Sequence, residues 1–360
     1  MYIYIHLPFC SSICTYCDFP KMLYDKKFTT KYLQYLKEEI KERYKNEVVK
    51  TIYIGGGTPT CLEKEELEEL LKLTKIFKKE KEIEFTIESN VESLTEEKIQ
   101  LLKNYGVNRI SLGVQSLNKK ILKELNRHHT KEMTINLINK LKKNHLTNIS
   151  IDYIYGINSN INIIKEDLNT LIKLGIPHIS CYSLIIEEGT IFKINKRKYI
   201  EEEKEEEMYR IIEKTLEENN YIHYEVSNYA KVGYQSLHNL NYWNNNSYYG
   251  FGLGAVSYIN NIRRTNTRNL TKYLKKEYIQ EELNETKEIQ ISNELILGLR
   301  KIEGINIKEV NNKYQIDILS YYHIKDLLKE GLLELVNDYL RIPKKYIYIS
   351  NNILVHFIEK

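Results

Sequence analysis

No run of about 18 or more apolar residues occurs in this sequence, so no segment is long enough to cross a bilayer as a helix. Cysteine is scarce: there are five in 360 residues, three of them crowded between positions 10 and 17. That pattern argues against a disulfide framework and points to a reducing compartment, the cytoplasm. Charge of one sign is lacking too. A formal net charge of +4 with no Arg/Lys cluster leaves no footprint for nucleic acid. Strand-like sequence begins directly after Met1, which predicts that no targeting peptide is present. What remains is the composition of a soluble protein, 42% hydrophobic and 28% charged, with enough apolar residues for a sizeable core.

Within that composition, β-branched runs alternate with helical periodicity. Strands are predicted at 2–6, 51–54, 83–88, 109–112, 149–154 and 178–182. Helices are predicted at 32–43, 64–77, 96–104, 131–143 and 163–174, with Thr95 and Thr130 as N-caps. Gly106 and Gly175 close two of them. The acidic run 201–207 reads as the solvated first turn of a sixth helix, facing the positive end of its dipole. Repeated βα units predict an α/β fold with a parallel sheet. A full eight-unit barrel takes about 250 residues, so six units in roughly 220 predict a partial, open (β/α)6 TIM-like barrel over residues 1–220. Residues 221–284 read as a connecting segment, loop-like at 239–254. Residues 285–360 read as a mostly helical, winged-helix-like domain: helices at 293–300, 307–313 and 322–329, a hairpin across Asn337-Asp338, and a closing helix at 346–357. Without a basic recognition helix, this domain reads as a structural cap.

Three features carry chemistry. Cys10-x-x-x-Cys14-x-x-Cys17 follows the first strand, and three thiolates at these spacings suit three irons of a [4Fe–4S] cubane. The missing fourth thiolate leaves one iron open to another ligand. Zinc is the alternative, with His6 or Asp18 completing the set. Next, Gly55-Gly56-Gly57-Thr58-Pro59 follows the second strand, where glycines permit close backbone approach to a ligand; an ordinary tight turn is the alternative. It is neither a P-loop nor a dinucleotide fingerprint. Finally, Glu88, Gln115 and Asp152 fall at or near the ends of the third, fourth and fifth strands, the face where barrel active sites form.

The cysteine triad followed by Gly-Gly-Gly-Thr-Pro resembles the radical S-adenosylmethionine (SAM) superfamily. Residues 4–10, 107–116, 152–156 and 224–230 narrow the resemblance to the branch holding oxygen-independent coproporphyrinogen III oxidase and the HemW haem chaperones. The resemblance covers nearly the whole chain. It implies that Cys10, Cys14 and Cys17 ligate the cluster and that SAM chelates the open iron. It also implies a SAM pocket lined by Tyr4, Tyr16, Gly56, Gly57, Thr58, Glu88, Gln115, Arg127 and Asp152. Arg127 has a plainer reading as a helix-end salt bridge.

Two departures separate the members of this branch. The oxidases carry a further Cys where this chain has Phe19, and an N-terminal extension where only nine residues precede Cys10. In addition, His238, Tyr242 and Trp243 match a HemW His-Asn-x-x-Tyr-Trp motif linked to haem. On residue chemistry alone, His238 is a hydrogen-bonding residue or an axial ligand, and Trp243 a packing anchor or a surface for the macrocycle. Val256 stands where HemW sequences usually have His. Cys61 and Cys181 read as packing residues. The resemblance thus implies a haem chaperone that delivers haem to membrane-associated respiratory proteins, with oxidase turnover not expected. The alternatives are a radical SAM enzyme, either the porphyrinogen oxidase or a methyltransferase of the same branch. Whether SAM is cleaved productively and whether the chain forms a homodimer stay open.

Overall fold

The computed structural model describes residues 1–358, and its centre is a nine-stranded sheet. Strands β1 (Tyr2–Leu7), β2 (Val49–Gly56), β3 (Lys79–Asn90), β4 (Arg109–Gln115), β5 (Ile149–Tyr155) and β6 (His178–Ser183) lie in sequence order, all parallel. Helices Lys26–Arg43, Lys64–Leu73, Glu96–Asn104, Lys131–Lys143, Ile161–Lys173 and Glu202–Glu218 follow them in turn. The hydroxyls of Thr95 and Thr130 accept the N–H groups of Lys98 and Met133, as N-caps do.

Along each strand one set of residues is apolar and fully buried: Ile3 and Ile5, Ile52 and Ile54, Phe85 and Ile87, Ile110 and Leu112, Ile149 and Ile151, Ile179. The alternate set is polar: Tyr4 and His6, Tyr53, Glu88 and Asn90, Ser111, Asp152, Ser180 and Tyr182. Because strand side chains alternate between faces, the first set packs in the apolar core and the second shares the other face. A barrel interior is ordinarily filled by branched apolar residues. Here it is polar, and that sets up a site.

The sheet does not stop where the alternation fades near residue 220. Strands β7 (Ile222–Glu225) and β8 (Asn228–Ala230) add antiparallel beyond β6, and β9 (Tyr249–Phe251) pairs parallel with β1. The order is β9-β1-β2-β3-β4-β5-β6-β8-β7, with no ladder joining the two ends among the described residues, so the barrel is open. Strands of three or four residues are too short for a period to register in the sequence. The segment 239–254 is not all loop, either. Ser236 caps a helix, Leu237–Trp243, whose asparagines mask its periodicity. The connecting segment also holds an unforeseen antiparallel sheet of β10 (Val256–Ile259), β11 (Ile262–Asn266) and β12 (Ile279–Asn284).

In the C-terminal region, helices Lys287–Gly298, Ile307–Tyr314 and Ile324–Lys329 accompany a three-stranded sheet. Asn337 and Asp338 turn its hairpin with φ of 49° and 68°, the left-handed conformation that such two-residue turns require. The expected closing helix is broken: only Ser350–Leu354 is α-helical, between two tighter 3-10 turns.

Candidate functional site

The cysteine loop is held from several sides. Met22–Leu23 pairs with Phe9–Cys10 in a short parallel ladder. Thr15 Oγ1 donates to Glu124 O (3.0 Å), Asn126 Nδ2 donates to Ile13 O (2.8 Å), and His6 Nε2 pairs with Pro20 O (2.8 Å). His6 is thereby committed: it also meets Tyr4 Oη at 2.9 Å, and burial pulls its imidazole down to about 4. Cys10 is buried, Cys14 and Cys17 are half-buried, and all three line one cavity.

The glycine loop docks against this one. Gly57 N–H donates to Leu7 O and Thr58 N–H to Phe9 O, both at 2.7 Å, while Gly56 N–H donates to Glu88 Oε2 at 2.9 Å. A Cβ on Gly57 would stand 2.5 Å from Phe9 O, and one on Gly56, at φ +104°, would strike the His6 ring. Glycine is required at both positions. With these three N–H groups spent, a polar head held by the loop's backbone is held through carbonyl oxygens, which suits an amino group.

Of the nine positions expected around SAM, eight line the same cavity as the cysteines: Tyr16, Gly56, Gly57, Thr58, Glu88, Gln115, Arg127 and Asp152. Tyr4 does not. It sits deeper in the lumen, bonded to His6 and tilted against Tyr53. Arg127 is no helix-end salt bridge: it is buried, donating to Asn90 Oδ1 (2.8 Å), to Gly113 O and to Cys14 Sγ (3.6 Å), and its Nε has no hydrogen-bond partner among the described residues. Glu88 accepts from Tyr53 Oη (2.8 Å), and burial raises its carboxyl. Burial and then the charge of Glu88 push Asp152 up to about 7. Asn90, Ser111 and Tyr182 belong to this cavity and were missed by sequence. The signal for Asn90 was there: it lies two residues beyond Glu88, on the same strand face.

These groups fit an iron–sulfur cluster better than zinc. Burial pushes the Cys10 thiol up to about 12, which any bound metal's positive charge would offset, zinc and cluster alike. One zinc ion with bonds of about 2.3 Å would draw its sulfurs within roughly 4 Å of one another. Among the described residues, the three cysteines are not a set of metal-ligating side chains with all ligand atoms within 4.8 Å. Neither His6 nor Asp18 lines the cavity that the three cysteines share. The wider spread suits a cubane, and the Arg127 guanidinium beside Cys14 offsets negative charge.

Residues 4–171 match the Radical SAM superfamily, and residues 286–345 match the HemN C-terminal domain. The heme chaperone HemW of Lactococcus lactis is 37% identical, covering 99% of this chain and 96% of that protein; the Bacillus subtilis HemW is 36% identical, with 92% of each covered. The chain belongs to the HemW family. Its radical SAM region brings with it a [4Fe–4S] cluster and SAM. The fold is also that of Escherichia coli coproporphyrinogen III oxidase, HemN, with a TM-score of 0.87 at 21% identity over 99% of this chain and 89% of that one.

The HemW motif residues lie elsewhere. His238 is 1% exposed at the opposite end of the lumen, beside the start of β2. Its Nδ1 pairs with Thr51 Oγ1 (2.6 Å) and its Nε2 with Tyr242 Oη (2.9 Å), and its ring stacks on Tyr53. Burial pulls it down to about 3, so it is neutral with both nitrogens engaged. In this conformation it offers no nitrogen to iron. Trp243 is half-buried under the Arg300 guanidinium, 5.8 Å from its ring, and its Nε1 has no hydrogen-bond partner among the described residues. None of His238, Tyr242 and Trp243 lines the cavity that the three cysteines share.

Proposed function

We propose that this chain binds haem and passes it to haem-requiring proteins, membrane-associated respiratory ones among them. The full-length identity to proteins named as heme chaperones carries this reading. Cys10, Cys14 and Cys17 would hold the cluster, with Glu88, Asp152, Gln115 and Arg127 lining the SAM pocket beside it. When bound, the cluster and SAM supply one-electron chemistry at the barrel mouth. The chain's own part is to shield that mouth, hold the carboxylates and orient the ligand. Phe19 supports a role other than porphyrinogen oxidation: the position that is cysteine in the oxidases is here a phenylalanine, 58% exposed on the lip of the cavity. His238, Tyr242 and Trp243 would serve haem through the shape of their packed element, with His238 a positioning residue in this conformation. The experiment is anaerobic reconstitution followed by two assays, haem transfer to a haem-free acceptor and decarboxylation of coproporphyrinogen. Transfer without decarboxylation is expected; decarboxylation at catalytic rates would overturn the reading.

A further inference from the structure

The last helix of the βα repeat and the strand after it bring together side chains that none of the chemistry above uses. Glu213 and Glu217 stand one turn apart on helix Glu202–Glu218, so both face the same way. His223, on β7, points at them with its Nδ1 3.6 Å from Glu213 Oε1. One oxygen from each glutamate and one ring nitrogen all lie within 4.8 Å of one another. The His223 side chain is only 1% exposed, yet among the described residues neither ring nitrogen nor Glu213 Oε1 has a partner within normal hydrogen-bond distance, the ion pair between them being longer. A buried imidazole with one nitrogen only loosely paired to Glu213 and the other without a hydrogen bond is costly unless something else occupies the space before it. Its ring is fixed by stacking on Tyr229, at 4.2 Å and 14°.

We propose that Glu213, Glu217 and His223 form a binding site for a divalent first-row transition-metal ion, separate from the cysteine cavity. One imidazole and two carboxyl groups suit Zn2+, Mn2+ or Fe2+, with water completing the sphere. Ligand bonds of about 2.1 Å require the three atoms to close in by roughly 1 Å, which side-chain rotation on the exposed Glu217 can provide. The position is held for now by a different cation. Lys344 Nζ lies 2.5 Å from Glu217 Oε1 and 3.9 Å from Glu213 Oε1. Lys344 belongs to the C-terminal region, where its neighbour Lys345 accepts from Arg210 through its carbonyl oxygen (2.8 Å). A metal ion here displaces Lys344 and so competes with one tie between the barrel and that region.

The competition gives a test that a purely structural ion pair would fail. Cluster-loaded full-length protein is titrated anaerobically with Zn2+ against a colorimetric chelator. Wild type takes up a single equivalent beyond the cluster; E217Q and H223Q bind it about tenfold more weakly or worse; and K344M, which removes the competing ammonium, binds it several-fold more tightly. Glu217 and Lys344 are on the surface, so E217Q and K344M decide the matter even where H223Q fails to fold. No Zn2+ uptake by wild type, or equal uptake by wild type, E217Q and K344M, overturns the proposal.

Discussion

The two ends of the barrel lumen differ in how their polar groups are used. At the end where β1 to β6 finish, polar atoms stand ready: Arg127 Nε has no hydrogen-bond partner among the described residues, Asp152 is held by Ser111 (3.4 Å) and Ser180, and three thiols share a cavity. At the end where the strands begin, the histidines and Arg109 are paired with neighbouring groups, although Thr86 Oγ1 and the Asn241 amide have no hydrogen bond among the described residues. His178 pairs with Ser150 (2.7 Å) and Tyr224 (2.8 Å), His238 pairs with Thr51 and Tyr242, and Arg109 donates to Asn148 and Tyr234 O. Tyr53 connects the two, its hydroxyl on Glu88 and its ring on His238. A residue type suited to chemistry is therefore poor evidence of a ligand site until its partners are known. His178, His238 and Arg109 are paired at the floor of the lumen, whereas the three thiols and Arg127 Nε at the mouth leave groups for a ligand.

The strongest way to break this comparison is at the floor. His238→Ala removes a buried ring and strands two hydroxyls, so it should destabilise the fold by about 3 kcal/mol, read from denaturant unfolding, while cluster absorbance is kept. The linked pH effect has a defined sign. Neutral His238 in the fold, against an ordinary 6.5 when unfolded, means its stabilisation is lost as pH falls from about 6.5 towards 3, and the variant should lose that part of the slope. Preserved stability, or loss of the cluster with it, would place His238 in the wrong class.

A smaller effect sharpens the mouth. Asp152 titrates near 7 because burial disfavours its charged form, so this group costs stability as pH rises from about 4 to about 7. If its carboxylate accepts hydrogen bonds from SAM, SAM affinity should rise through pH 7, by at most about tenfold per pH unit. Asp152→Asn should bind SAM with a flat pH profile between 6 and 8. An unchanged profile in the variant would take Asp152 out of the pocket's charge balance.

Much of the mouth was legible in the sequence because its signals are local. Three cysteines within eight residues and a glycine triplet after a strand need no tertiary knowledge. Position at the strand ends also singled out Glu88 and Asp152, which line the cavity with the cysteines. The floor was not legible, because its meaning lies in pairing across long separations: Thr51 with His238, and Glu84 accepting the N–H groups of Leu237 and His238 at 3.0 Å. The same reason hid β7, β8 and β9, whose three or four residues pair with distant strands. Tyr4, expected from family position alone, lies earlier on β1, outside the cavity that the cysteines share.

The most direct test of the central claim is Mössbauer spectroscopy of the reconstituted cluster, with and without SAM, beside a Cys14→Ser control. Three thiolates and one open iron predict that SAM shifts the signal of a single distinct iron, and that the variant loses the cluster's absorbance at roughly 400 nm. A spectrum indifferent to SAM, or tight zinc with no such absorbance in wild type, would contradict it.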